Sequence, residues 1–128
     1  MRNNVAFEKS LSFAVRIVGL SDYLQENYHD YVMSRQILKS GTSVGANLRE
    51  SQNAQSLEDF ISKLSISLKE ANETQYWLEL LHLSKKIDET MYNSLNTDLS
   101  EIIAILVSSI KTAKENKTRK TKETDILR

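Results

Sequence analysis

The 128-residue chain contains no proline and only three glycines: Gly19, Gly41 and Gly45. Both residues supply backbone conformations that tight turns require, so folds with many short strands use them often. Their scarcity favours a few long helices with few connections. The length is that of one domain, and the content of 40% hydrophobic and 27% charged residues is typical of a globular protein.

Apolar residues recur at steps of three and four, which is the spacing of one helix face. The first predicted helix runs from about Asn4 to Glu26. Its apolar face is formed by Phe7, Leu11, Ala14, Val15 and Val18, with Asp22 at the end of the same row. The residues that widen this face are Ile17, Leu20 and Leu24.

The second helix is predicted from about Tyr31 to Asn53, with Asp30 as its N-cap. Its inner face is narrow and made of small residues: Ile37, Gly41, Val44, Leu48 and Ser51. Glycine inside a helix costs roughly 1 kcal/mol relative to alanine. We therefore expect close approach of a neighbouring backbone at Gly41 and Gly45. The alternative is a helix that breaks at the segment SGTS.

A third helix is predicted from Leu57 to about Lys86, capped by Ser56, and a fourth from about Glu89 to Lys114, capped by Asp88. The inner face of the third comprises Phe60, Leu64, Leu68, Ala71, Gln75, Leu78 and His82. That of the fourth comprises Leu95, Leu99, Ile102, Ile103, Leu106 and Ile110.

Short connections make consecutive helices antiparallel neighbours. The sequence thus predicts an all-α fold, an antiparallel up-down-up-down four-helix bundle over residues 1–113. Residues 114–128 form a basic C-terminal tail with almost no apolar content, which we expect to fray or to be flexible. The last eighteen residues carry a net charge of +4, so the preceding 110 carry −4 in a chain that is neutral overall.

Several classes of function are disfavoured. The chain has no cysteine, which excludes thiolate metal sites and cysteine nucleophiles. Two Glu-x-x-His patterns, ending at His29 and His82, resemble half of a di-iron site, but the antiparallel arrangement supplies too few partner carboxylates at that end. Neither a serine triad nor a phosphate loop is present. We expect no catalytic residue, no cofactor and no metal.

Targeting and membrane segments are also not expected. The first ten residues lack the apolar core of a signal peptide. No apolar run reaches the roughly 18 residues that cross a membrane. The sequence therefore predicts a cytoplasmic protein with no membrane partner.

Basic residues on the second helix and in the tail are candidates for phosphate binding. Two of them, Arg35 and Lys39, are four residues apart and share a helix face. The predicted nucleic-acid-binding residues are Arg35, Lys39, Arg49, Lys114, Lys117, Arg119, Lys120 and Lys122. The alternative is that these charges only solvate the helix surface.

The third and fourth helices carry more apolar residues than one buried face needs. A contiguous exposed apolar patch usually marks an interface, and self-association is the simplest way to cover it. The predicted oligomer-interface residues are Ile66, Trp77, Leu81, Ile105 and Val107.

Residues 34–81 resemble the four-helix-bundle proteins encoded in intervening sequences of bacterial 23S rRNA genes. On the second helix the resemblance lies in Ser40, Thr42, Ser43, Val44, Ala46, Asn47 and Glu50. On the third it lies in Asp59, Phe60, Lys63, Leu64, Leu68, Glu70, Ala71, Glu73, Thr74, Trp77 and Leu78. A weaker match extends over residues 7–112.

This resemblance implies a four-helix bundle that assembles into a ring-shaped pentamer, without known catalytic residues. A similar protein type is the accessory protein of diversity-generating retroelements, which contacts nucleic acid through basic surface. The resulting hypothesis is a non-enzymatic homo-oligomer that binds RNA or DNA through phosphates. The alternatives are a protein-binding scaffold without nucleic-acid contact and, third, a metal-dependent enzyme.

Overall fold

A computed structural model describes residues 4–127. It contains four helices, α1 (Asn4–Tyr28), α2 (Tyr31–Ser51), α3 (Leu57–Leu83) and α4 (Glu89–Leu127). Each helix packs against its neighbours in the chain, and α4 also packs against α1, which closes an antiparallel bundle. The predicted all-α fold and helix order are confirmed. No helix in the described part of the chain has the apolar length that crossing a membrane requires.

The three predicted N-caps are confirmed. The side-chain oxygens of Asp30, Ser56 and Asp88 accept hydrogen bonds from the backbone N–H three residues later, at 2.9, 3.0 and 2.8 Å. Each bond satisfies a backbone donor that has no partner inside its helix. The starts of α2, α3 and α4 are therefore determined by local sequence.

The predicted inner faces of α2, α3 and α4 form most of the core. All five residues predicted for the inner face of α2 are buried. The buried residues among those predicted for the other two helices are Leu64, Ala71, Leu78, Leu95, Leu99, Ile102 and Leu106. Residues on these faces that are only half-buried lie at the margins of the same stripes.

The main apolar row predicted for α1 is wrong, whereas Ile17, Leu20 and Leu24, the residues predicted to widen it, are buried. Leu11, Val15 and Val18 are 52%, 67% and 45% exposed. The face that enters the core is instead formed by Ala6, Ser10, Phe13, Ile17, Leu20, Ser21 and Leu24. Because α1 carries two apolar faces, spacing alone does not identify the one that packs against α2, and the second face remains at the surface.

The two glycines of α2 allow α1 to approach closely, as predicted. A Cβ atom on Gly41 would lie 2.8 Å from Cγ2 of Ile17, and one on Gly45 would lie 3.0 Å from Oγ of Ser10. The helix continues through the segment SGTS without a break. The cost of glycine in this helix is therefore balanced by contact that no larger residue permits.

Hydroxyl groups complete the packing around α2. Ser34 of α2 is buried against Ser21 of α1, and the two hydroxyls are hydrogen-bonded. On the other side, the Ser67 hydroxyl of α3 donates to the Val44 carbonyl at 2.8 Å. Each buried hydroxyl has a hydrogen-bond partner. These small residues therefore allow the helices to lie close together without leaving a buried polar group unsatisfied.

The fourth helix is longer than predicted. It ends at Leu127, whereas the apolar spacing predicted an end near Lys114. Ala113 is its last buried residue, and all residues from 114 to 127 are exposed. We call residues 114–127 the α4 extension; Arg128, the last residue of the predicted tail, lies outside the described residues.

The helical extension is explained by composition. Lysine, arginine and glutamate are good helix formers even where no packing supports them. The hydroxyls of Thr118, Thr121 and Thr124 donate to the carbonyls four residues earlier, at 3.1, 3.0 and 3.0 Å. Fraying of this segment stays a prediction.

Gly41→Ala tests the close contact between α1 and α2. We expect a loss of about 1–3 kcal/mol in the free energy of unfolding, because the new methyl group overlaps Ile17. The matched control is Gly19→Ala, since no neighbouring atom lies within 4 Å of a Cβ at Gly19. That substitution should stabilise the protein by up to about 1 kcal/mol through helix propensity. Urea unfolding measures both; stabilisation by Gly41→Ala would contradict the packing described.

One ion pair connects the α1–α2 and α3–α4 turns. Lys86 donates to the carboxylate of Asp30, whose side chain is only 12% exposed. The Lys86 ammonium, and then the Met33 backbone N–H, hold the pKa of Asp30 below its ordinary range. Charged Asp30 therefore stabilises the folded state over the unfolded one.

Asp30→Asn removes this charge and should lower the free energy of unfolding by about 1–2 kcal/mol at pH 7. The contribution of Asp30 is complete above its unfolded pKa of about 3.9, and it is lost as the pH falls through the lower folded-state pKa. The difference between variant and parent should therefore disappear in strong acid. Asp22→Asn, at an exposed site on α1, is the control and should change little. A difference that persists unchanged to low pH would contradict this assignment.

Candidate nucleic-acid interface

Two predicted phosphate-binding residues lie on the outer surface of α2. Arg35 and Lys39 are both exposed and are separated by about one helical turn. The third, Arg49, also lies on α2, but its guanidinium sits 4.5 Å from the centroid of the Phe7 ring of α1. This cation–π contact fixes Arg49 near the surface groove between α1 and α2.

The structure separates the eight predicted residues into two groups. Arg35 and Lys39 are near the start of α2, whereas the α4 extension passes the end of α2, where Gln52 and Asn116 line one cleft. Since 14 residues separate Arg35 from Arg49, about 21 Å of helix lies between them. Within one protomer, Arg35 and Lys39 are therefore separated from the cations of the α4 extension, whereas Arg49 lies near the end of α2 that the extension passes.

Cations of the extension project in different directions because the segment is helical. Lys117 and Lys120 line a cleft of about 500 Å³ together with Gln55 and Glu58 of the α2–α3 connection and α3. Lys114 and Lys122 line another surface of α4, which also includes Val107 and Ile110. The remaining predicted residue, Arg119, donates to Oδ1 of Asn116 at 2.8 Å.

None of these eight cations forms an ion pair within residues 4–127. The four ion pairs found there use other bases: Lys9 with Glu101, Arg16 with Asp98, Lys63 with Glu50, and Lys86 with Asp30. The first two join α1 to α4, and Arg16 also donates to the hydroxyl of Ser94 at 2.8 Å. The bases that hold helices together and the bases predicted to bind phosphate are thus different residues.

Lys111 is a candidate that sequence reasoning missed. It is exposed, and it lines the same surface as Lys114 and Lys122. The steps from 111 to 114, 118 and 122 are three, four and four residues, which places these positions on one face of a helix. That spacing can be read from the sequence, but it places these residues on one face only if the helix continues past Lys114.

The predicted oligomer-interface residues differ in exposure. Ile66 and Val107 are 38% and 51% exposed, while Trp77 and Ile105 are half-buried. Leu81 is fully buried in the bundle core. Its position outside the main apolar stripe of α3 predicts an interface residue. However, the core-facing surface of this helix is wide enough to include Leu81, so its side chain is not available to a second copy.

Two groups of exposed apolar residues lie on helices that do not pack against each other in the bundle. On α1 they are Leu11, Val15 and Val18, and their spacing of four and three places them on one face. On α3 they include Ile66 and Leu80, both 38% exposed, and the half-buried Trp77, whose indole N–H donates to Glu73 at 3.2 Å. We call these surfaces the α1 stripe and the α3 patch.

The two histidines are not arranged as a metal centre. His82 stacks on Tyr92 with the ring centroids 4.4 Å apart, and His29 lies in the α1–α2 connection with φ of 52°. Among residues 4–127, no cluster of three or more histidine, aspartate or glutamate side chains is suitable to hold a metal ion.

Most of the chain matches a known protein family. A model of the 23S rRNA-intervening sequence protein family matches residues 2–108. A crystal structure from Bacteroides thetaiotaomicron, described as a protein with unknown function from the S23 ribosomal protein family, is 56% identical. The match covers 83% of this chain and 98% of that one, with a TM-score of 0.82. No curated protein is significantly similar to the chain.

Proposed function

This chain belongs to the 23S rRNA-intervening sequence protein family, and from that premise we propose that it is a non-enzymatic homo-oligomer that binds RNA or DNA through phosphates. The observation that carries the proposal is the set of exposed cations on α2 and the α4 extension that have no carboxylate partner among the described residues. Such cations release counterions when they meet a polyanion.

The chemistry of these residues favours contact with the nucleic-acid backbone over contact with bases. Arginine and lysine bind phosphate oxygens in any sequence. Stacking on unpaired bases requires aromatic side chains, and none lies between Lys111 and Leu127. Accessory proteins of diversity-generating retroelements, which the chain resembles, use basic surface in the same way.

Self-association follows from the α1 stripe and the α3 patch. These are two different apolar surfaces, on helices that do not pack against each other. Contact between the stripe of one copy and the patch of the next is head-to-tail, and such contacts close into rings when the rotation between copies permits. The pentamer implied by the family resemblance is an assembly of this type.

A single charge on the α1 stripe tests the assembly. Val15→Lys should reduce the mass in solution towards the 14.7 kDa of one chain, because burying an unpaired ammonium at an interface is costly. Val15 is 67% exposed, so the bundle itself should remain stable. Ser12→Lys, at another exposed position on α1, is the control and should leave the assembly intact. Sedimentation velocity distinguishes the two, and a monomeric parent at micromolar concentration would refute self-association.

Nucleic-acid binding by α2 is tested by neutralising two cations. Arg35→Gln with Lys39→Gln should weaken binding to structured RNA several-fold and reduce the slope of log affinity against log salt by about 1–2. The control is Lys69→Gln with Lys85→Gln, an equal loss of charge at exposed sites on α3 and after it. Salt-titrated fluorescence anisotropy measures both. If the parent fails to bind RNA and DNA at low salt but co-purifies with a specific protein, the scaffold hypothesis replaces this one.

A further inference from the structure

The α4 extension lies outside the match to the family, and its cations are ordered on the helix. The family model ends at residue 108, whereas α4 continues to Leu127. The match to the relative from Bacteroides thetaiotaomicron covers 98% of that chain and 83% of this one. The extension therefore lies beyond the part of the chain that the family model matches.

We propose that one face of α4, formed by Lys111 together with Lys114 and Lys122 of the extension, binds phosphate, and that Lys117 and Lys120 are not part of this face. This inference rests on the proposed function and narrows it to a row of three lysines. The row includes Lys111, which lies outside the predicted set.

Helical geometry places these lysines together. At about 100° per residue, the positions 111, 114, 118 and 122 fall within an arc of roughly 80°. Lys120 lies about 180° from Lys111 on the same helix. A phosphate backbone that follows the row therefore cannot touch Lys120 as well.

The surroundings of the two sets differ as well. Lys117 and Lys120 line the cleft that separates the extension from the α2–α3 connection, where Glu58 and Asp125 also lie. The row of three shares its surface with Val107, Ile110, Arg119 and a single carboxylate, that of Glu115. The row is thus open to a large polyanion, whereas Lys117 and Lys120 share a cleft with two of the protein's own carboxylates.

The length of the row suits a nucleic-acid strand. Eleven residues separate Lys111 from Lys122, which is about 16 Å along the helix axis. Successive phosphates of one strand advance by about 3.4 Å along a duplex, so the row passes several of them. Thr118, which lies in the row between Lys114 and Lys122, donates its hydroxyl to the carbonyl of Lys114 at 3.1 Å.

Two double variants of equal charge test the row. Lys111→Gln with Lys122→Gln should weaken binding to an RNA duplex of about 20 base pairs at least 10-fold at 0.1 M salt, and lower the salt slope by about 2. Lys117→Gln with Lys120→Gln should weaken it no more than about 2-fold. A DNA duplex of the same sequence should give the same ranking. Equal losses of affinity from the two double variants would overturn the inference, because binding would then depend only on the total number of cations.

A third variant asks whether the helix is required. Thr118→Pro retains every charge but interrupts the helix in the middle of the row, and it lies beyond the last buried residue of α4. It should weaken binding about as much as Lys111→Gln with Lys122→Gln, while Thr118→Ala should bind like the parent. Full affinity of Thr118→Pro would overturn the inference. Failure of the parent to bind either duplex would instead overturn the proposed function on which it rests.

Discussion

Close contact between α1 and α2 determines which surfaces this bundle leaves outside. Gly41 and Gly45 present no side chain, and Ile17 and Ser10 of α1 occupy the space. The face of α1 that carries Ile17 and Ser10 fits against both glycines, so that face turns inward. The other apolar face, with Leu11 and Val15, is then exposed. The surface proposed for self-association is thus a direct consequence of the packing that stabilises a single chain, because one helix cannot bury both of its apolar faces within four helices.

Three of the four core faces could be predicted from apolar spacing, and α1 could not, for a physical reason. Spacing reports that a face is apolar but not whether a partner of complementary shape exists. On α2, α3 and α4 one stripe dominates, and residues such as Leu48, Leu78 and Leu106 are buried as predicted. On α1, Ile17 enters the core opposite Gly41, and the sequence of α1 alone does not contain that information.

The directions in which the charged side chains of the C-terminal segment project depend on helix propensity, which hydrophobic patterning does not measure. Apolar periodicity ends near Lys114, and a helix predicted from it ends there as well. The structure continues because the helix propensity of lysine, arginine and glutamate acts without any packing. For a flexible segment only the number of lysines would matter. On a helix, the position of a lysine decides whether it can contact the same nucleic-acid strand as another lysine. Lys111 and Lys120 are both exposed, but they lie on opposite sides of α4 and therefore cannot contact one strand together.

Charge separation along the chain explains how a neutral protein could hold a polyanion. Residues 1–110 carry −4 and the last eighteen carry +4, so a phosphate strand close to the bundle would be repelled by it. At physiological salt, charges more than about 8 Å apart are largely screened from each other. Lys122 lies nine residues beyond Ala113, the last buried residue of α4, which is about 13 Å along the helix. Along the helix axis, the outer cation of the extension therefore lies more than one screening length from the last buried residue of α4. In a closed assembly every copy contributes one extension, and a weak interaction at each becomes a stronger one in total when a single strand reaches several of them.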